Sequence, residues 1–371
     1  MPTHYVTLKK SDTNFFEYLW GANPNGEHNA LPKTQRAIPV KTYNLGTPEE
    51  SVTFELKNIT DTKKPSFFVF ASSLIKLNSF VLILLPLLYI LTKNFITKNL
   101  TDPLAILLAA LSAVLLFAGF NIRNDVNDHT SGFDRVNLGT SCKPIQMGWI
   151  SAHKAARLSL ILILISGVLA LPVVFLHPQL LWIIVFSFVL FFIGRFTKNN
   201  SYKQQHLGEF ILFILAGPAL VLGYQVAMGA GLDVQAVSFG TLWGFGVLFL
   251  IQINNFSHIM TSSQAGIKNT MTQLGFDRAQ KFLVLSWVLF LIFWILFHYY
   301  FANIYWLIFG SLLLVFCSVP FFKKILNIKS PMGSDLPHIR NKAHKTFLLM
   351  GCLFIAEIFW SLGLLLWTNA H

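Results

Sequence analysis

Charged residues are scarce in this chain. Asp, Glu, Lys and Arg make up 12% of its 371 residues, about half of the roughly 25% that soluble domains carry. Apolar residues reach 54%, which excludes an ordinary soluble domain and predicts an all-α, polytopic membrane protein. Cysteine is rarer still. Cys142, Cys317 and Cys352 are odd in number and widely spaced, excluding a disulfide framework and a zinc site. Residues 1–65 lack an early apolar core, so no signal peptide is expected. A Gly-rich phosphate loop, an H-E-x-x-H zinc motif and a G-x-S-x-G nucleophile elbow are also missing.

What is present is length in apolar runs. Windows of about 17 to 25 apolar residues suffice to cross a bilayer as helices. Nine are expected, at 67–92, 103–120, 156–176, 179–194, 209–229, 236–257, 281–300, 302–321 and 346–367. Basic residues sort with them. Eight precede the first run, and the loops after runs two, four, six and eight, taken with the first residues of the runs that follow (Arg157, Lys281), hold five, three, three and six. The opposite loops hold only Lys93 and Lys98, and Lys76 falls inside the first run. The positive-inside rule therefore puts the N-terminus and the long even loops in the cytoplasm. The net charge of +12 is thereby accounted for by loops beside an anionic leaflet, without nucleic acid. The expected organisation is a soluble cytoplasmic extension at 1–65, with an alternating "SVTFELKN" that can pair as a strand, and a transmembrane domain at 66–371.

Polar chemistry concentrates where two apolar runs end. "NIRNDVNDHTSGFD" (121–134) follows run two. If that helix continues past Phe120, then Asn121, Asp125 and Asp128 share one face at i, i+4 and i+7. Carboxylates in a membrane helix are costly and mark function, and their oxygens, with those of amides, are the hard ligands that Mg²⁺ takes. "QINNFSHIMTSSQAGIKNTMTQLG" (252–275) follows run six, again with paired asparagines but with no acid. Lys76 requires an anion nearby or a snorkelling path to the cytoplasmic face. Scattered His153, His206, His298 and His338 have no metal-ligand spacing and read as loop or interfacial residues. Trp182, Trp287 and Trp306 read as interface anchors or cavity lining.

The 121–134 stretch resembles the first Asp-rich motif of the UbiA superfamily of intramembrane prenyltransferases, in the menaquinone-pathway branch that prenylates dihydroxynaphthoate. That branch reads N-x-x-N-D-x-x-D-x-x-x-G-x-D, met here by Asn121, Asn124, Asp125, Asp128, Gly132 and Asp134. "HLGEFILFILAGP" (206–218) resembles the branch's second conserved segment through Leu207, Gly208, Glu209, Gly217 and Pro218. The resemblance spans about 67–367. It implies a UbiA-type bundle in a bacterial inner membrane, with the site mouth cytoplasmic. It implies Mg²⁺, with Mn²⁺ as a substitute, held by Asn121, Asp125 and Asp128. A polyprenyl diphosphate would be met by Arg123, Asn124, Asp134, Lys143, Asn254, Asn255, His258 and Lys268, and Asp125, Asp128 and Lys76 would act in catalysis. The second substrate is an aromatic small molecule.

The second motif departs from the branch. Asn254, Asn255, Gly266, Lys268, Leu274 and Gly275 stay in register, but His258 and Ser262 stand where the branch has aspartates, and Ile267 replaces a basic residue. "FTKNN" (196–200) stands where the branch has a Tyr-Thr-x-Gly-Pro segment. A neutral imidazole suits Mg²⁺ poorly, and a protonated His258 would instead bind diphosphate directly. Three readings stay open: a prenyltransferase running on the first motif, a pseudoenzyme that binds a lipid or polyprenyl phosphate and acts through a partner on residues 1–65, and another activity on the fold such as terpene cyclisation. A transporter would need midplane charges and broken helices. Glu357, Pro86, Pro172 and Pro218 are the few residues of that kind.

Overall fold

A computed structural model describes residues 4–21, 31–32, 34–62, 64–100, 102–136, 143–193, 206–301, 304–331 and 335–370. They form two compact units, one of Met1–Phe80, Ser112–Val168 and Thr261–Gly266, the other of Val81–Leu111, Leu169–Met260 and Ile267–His371.

The first unit opens with strand β1 (His4–Lys9), helix α1 (Phe15–Trp20) and strands β2 (Gln35–Tyr43) and β3 (Ser51–Asn58). The antiparallel sheet has the order β1-β3-β2, so the alternating "SVTFELKN" is its central strand. Alternation turns Val52 and Phe54 to one face, where they pack on Phe15, Tyr18 and Leu19 of α1. Pro39 sits at a bulge of the edge strand β2, the place a sheet tolerates a residue without an N–H. The strand expected at 51–58 is β3, and β1 and β2 are additions to the all-α expectation.

Helix α2 (Phe67–Ile75) stops at Lys76, whose backbone is left-handed (φ 56°). A short 3₁₀ turn (Leu77–Phe80) leads to α3 (Val81–Ile96). The first expected span, 67–92, is thus corrected: the apolar crossing helix is Leu77–Ile96, and Lys76 lies at a break before it. The next helix, α4 (Pro103–Thr130), runs ten residues past the expected end at 120. At 1.5 Å per residue its 28 residues reach about 42 Å, more than the roughly 30 Å hydrocarbon core. The polar last turns can therefore stand at the interface. α5 (Phe133–Val136) is a single turn, and α6 (Ala152–Leu176) returns. Ile122 and Val126 of α4 are fully buried against Leu74, Ala152 and Ala155. Ser159 Oγ donates to the Gly119 carbonyl at 2.9 Å, and Ser112 Oγ to that of Ser166 at 3.0 Å. Such hydrogen bonds join helices where apolar contacts gain little from lipid.

The second unit contains α3, the first turns of α4, the last turns of α6, α7 (Gln179–Ile193), α8 (His206–Ile214), a wide π turn (Leu215–Ala219), α9 (Leu220–Ala227), α10 (Val234–Ser257), α11 (Ile259–Gln264, shared by both units), α12 (Thr270–Leu274), α13 (Phe276–Phe301), α14 (Ile304–Asn327) and α15 (Asp335–Ala370). α10 is its core. Asp233 caps it, accepting from the Ala236 N–H at 2.6 Å, as N-cap carboxylates do. Its apolar window is 67% buried, against 17% in α6. Most of α6's apolar surface faces outward, as a lipid-facing helix requires. At Gly217 an added Cβ would come within 2.6 Å of the Gly240 carbonyl and 2.7 Å of the Gly244 Cα. Only glycine lets the π turn sit on α10 at that distance.

Eight helices are long and apolar enough to span a membrane among the described residues. The ninth expected span, 179–194, is α7, whose apolar stretch Gln179–Phe191 is shorter. The "FTKNN" stretch and Cys142 lie outside the described residues.

Candidate functional site

Three side chains at the end of α4 and in the turn after it converge. One carboxylate oxygen from each of Asp125, Asp128 and Asp134 lies within 4.8 Å of the others, and all three residues are buried. The helical repeat places Asp125 and Asp128 one turn apart. Asp134 returns to them because Gly132 takes a left-handed turn (φ 89°), which glycine adopts without penalty. The resemblance assigned Asp134 to the diphosphate and Asn121 to the metal. In the structure Asp134 stands with the other two acids, while the Asn121 amide donates to the Ile75 carbonyl (2.9 Å) and to Ser79 Oγ (3.1 Å). Asn121 thereby ties α4 to the break at Lys76.

Two lysines answer the acids. Lys76 Nζ is 2.6 Å from Asp125 Oδ1. Lys143 Nζ lies 3.8 Å from Asp125 and 3.7 Å from Asp128, and pairs closely with Asp134. Neither Asp125 oxygen accepts a hydrogen bond of ordinary geometry, so Lys76 meets the carboxylate as an ion pair. Burial pushes the Asp134 carboxyl up to about 6, with Lys143 pulling against it. For Lys143 burial opposes the charge, yet Asp134, Asp128 and Asp125 together hold the ammonium above its usual range. Clustered acids of this kind raise one another's affinity for protons and for cations alike. Arg123 and Asn124, on the same helix turn, are half-buried.

The donor set fits a hard divalent cation: two carboxylates near the end of α4 and a third on α5, with buried oxygens on Asp125 not committed to hydrogen bonds. Mg²⁺ takes such oxygen ligands and shares them with water and phosphate.

The stretch after α10 is chemically different. Asn255 donates to Glu209 Oε1 at 2.9 Å, with both side chains buried, so the two glycine- and asparagine-bearing segments singled out in the sequence meet here. Asn254 and His258 are half-buried, Lys268 is exposed, and Ser262 is buried. His258 Nε2 lies 3.0 Å from Arg340 Nη1. A guanidinium only donates, so His258 accepts and carries its proton on Nδ1. It is a neutral acceptor in this arrangement, where the sequence also allowed a diphosphate-binding cation. In the sequence Arg340 is one of the six basic residues of the loop after run eight. Nothing local marks it, because its partner is 82 residues away.

The scattered residues also find places. His298, expected in a loop or at an interface, is instead buried, with Nε2 3.4 Å from Glu357 Oε2 and its ring stacked on Trp294. Trp182 is exposed on α7, whereas Trp287 is buried against Phe249.

No curated protein matches the chain. Among solved structures, a UbiA homologue from Archaeoglobus fulgidus bound to DMAPP and Mg²⁺ superimposes on 78% of this chain and 98% of its own, with a TM-score of 0.53 at 18% identity. A digeranylgeranylglyceryl phosphate synthase gives 0.55 at 20% identity, with the same coverage. The apo UbiA homologue from Aeropyrum pernix K1 gives 0.52 at 16% identity, over 75% of this chain and 98% of its own. At such identities the likeness concerns the fold. The family model for UbiA prenyltransferases matches residues 79–332, and the chain belongs to the UbiA prenyltransferase family.

Proposed function

We propose that this protein transfers a polyprenyl group from a polyprenyl diphosphate to an electron-rich aromatic acceptor of the dihydroxynaphthoate type, with Mg²⁺ held by Asp125, Asp128 and Asp134. The observation that carries this reading is the buried acid triad faced by two lysines. The Archaeoglobus fulgidus relatives bound to DMAPP or GPP with Mg²⁺ support it.

The chemistry required is cleavage of an allylic C–O bond, with diphosphate as leaving group, and formation of a C–C bond to the ring. For a naphthoate acceptor, loss of the ring carboxylate accompanies the substitution. Bound Mg²⁺ supplies charge neutralisation of the diphosphate as it leaves. The chain's own residues do the rest. The triad fixes where that charge sits. Lys76 and Lys143, whose ammonium groups already lie among the acids, donate to diphosphate oxygens, and such prepositioned donors act strongly in a site poor in water. Asn121 holds the Lys76 break in place. The 254–268 stretch offers an arginine-held imidazole and an exposed lysine in place of acids. It brings no carboxylate, so among the described residues the acids that could hold a metal are those of the first motif.

That same substitution favours the second reading, a non-catalytic relative that binds a prenyl diphosphate and acts through a partner on residues 1–65. Purified protein, a polyprenyl diphosphate, dihydroxynaphthoate and Mg²⁺ or Mn²⁺ decide between them. Prenylated product that vanishes in Asp125→Ala supports the enzyme. Diphosphate binding that depends on Asp125, without product, supports the second reading. Absence of both overturns the metal–diphosphate assignment.

A further inference from the structure

The family match begins at residue 79, and solved relatives that are matched over 98% of their own length cover 78% of this chain. The sheet of β1, β2 and β3 therefore precedes the family match. It nevertheless belongs to the same compact unit as the acid-bearing end of α4, and α1 and the β2–β3 connection touch that end on both sides of the turn carrying Asp134. His129, next to Asp128, donates through Nε2 to the Leu19 carbonyl at 3.0 Å. Arg135, next to Asp134, donates through Nη1 to Glu50 Oε1 at 2.8 Å, with both side chains almost wholly buried. Between them, a Cβ on Gly132 would fall within 2.2 Å of Leu45 Cδ1.

Glu50 is the centre of these contacts. Its other oxygen accepts from the Gly46 N–H (3.2 Å) and from Lys10 Nζ (3.4 Å), so the carboxylate is held by the β2–β3 connection and the residue after β1 before it reaches Arg135. A buried guanidinium must have an acceptor. Arg135 also reaches the Thr130 carbonyl at 3.4 Å, but Glu50 is its one charged partner among the described residues. Deprived of Glu50, Arg135 would have as its nearest acids in sequence Asp134 and Asp128, the groups that would hold the metal.

We infer that Glu50 is a positioning residue for the acid triad: it holds Arg135 away from Asp128 and Asp134 and so fixes the turn that brings Asp134 to Asp125. This rests on the metal–diphosphate reading above. Outer partners of metal ligands commonly change metal affinity 10- to 100-fold, and Glu50 acts one step further out, through the arginine beside a ligand.

The test is calorimetric titration of Mg²⁺ into the full chain in detergent with inorganic diphosphate present, together with a thermal melt of each variant. Glu50→Gln keeps the shape and removes the charge, and about tenfold weaker Mg²⁺ binding is expected. Glu50→Asp keeps the charge and shortens the reach by one methylene. It should weaken binding about threefold at an unchanged Tm, and it carries the test alone if Glu50→Gln does not fold. Glu55→Gln, which removes the pairing of Glu55 with Lys57 on the same sheet, should bind as the wild type does. Wild-type affinity in both Glu50 variants, or a lowered Tm with unchanged affinity, overturns the inference alone. A wild type that does not bind Mg²⁺ with diphosphate overturns the functional reading on which it rests.

Discussion

At Lys76 backbone and side chain make opposite demands. Its φ of 56° favours glycine, since a Cβ in the left-handed region costs about 1 kcal/mol or more. Its ammonium, however, lies 2.6 Å from Asp125. Comparing Lys76→Gly with Lys76→Ala separates the two. Both should lose prenyl transfer to the same degree, and the glycine variant should be more stable than the alanine variant by about 1 kcal/mol in denaturant or thermal melts. Unequal activity would mean that the backbone, not the charge, is what the site uses. Asp125→Asn is the sharper change, because it removes a charge and keeps the volume. Loss of an outer partner already costs metal sites 10- to 100-fold, so loss of this ligand should lower kcat/KM by at least about 100-fold. Added Mg²⁺ should recover little of it.

Among the elements, α4 was the most legible in sequence. Asn121, Asp125 and Asp128 announce a helix continuing past Phe120, because their spacing is only useful on a helical face. The convergence of Asp134 was half-legible: Gly132 signals a turn, but its direction depends on packing. Arg340 and Glu50 were not legible at all, since each meets its partner across more than 80 residues and neither has a local pattern. The break at Lys76 was hidden by an apolar run on both sides of it, which reads as one helix. His258→Asp tests the contact that sequence missed. A carboxylate there would meet the Arg340 guanidinium and be neutralised as an ion pair, so the Mg²⁺ concentration giving half-maximal activity should not change. A tighter Mg²⁺ requirement would show that the arginine yields to metal. Packing of the π turn is tested by Gly217→Ala. Because the added methyl meets the α10 backbone, a loss of about 1 to 3 kcal/mol is expected in thermal melts, and a neutral result would mean that the turn can move away.

Across the whole molecule, charge and helix length disagree about α7, and the disagreement decides the topology. α7 has 15 residues, about 22 Å of helix, short of the roughly 30 Å hydrocarbon core. Yet if it does not cross, Arg195, Lys198 and Lys203 share a side with the 177–178 connection, and every later loop changes sides. Lys268, Arg278 and the six basic residues of 323–345 would then face away from those preceding the first span. Nine crossings keep all of these on one side, as the positive-inside rule requires. Local thinning of the bilayer accommodates one short helix at a fraction of a kcal/mol per Å of mismatch. We therefore expect α7 to cross. In a background with Cys142, Cys317 and Cys352 changed to serine, Gly231→Cys lies between α9 and α10, where an added Cβ has open space. It should react with an impermeant maleimide in intact cells. Lys268→Cys, exposed after α10, should react only after permeabilisation. The reverse pattern would mean that α7 lies in the membrane without crossing it, and that length outweighs charge in this fold.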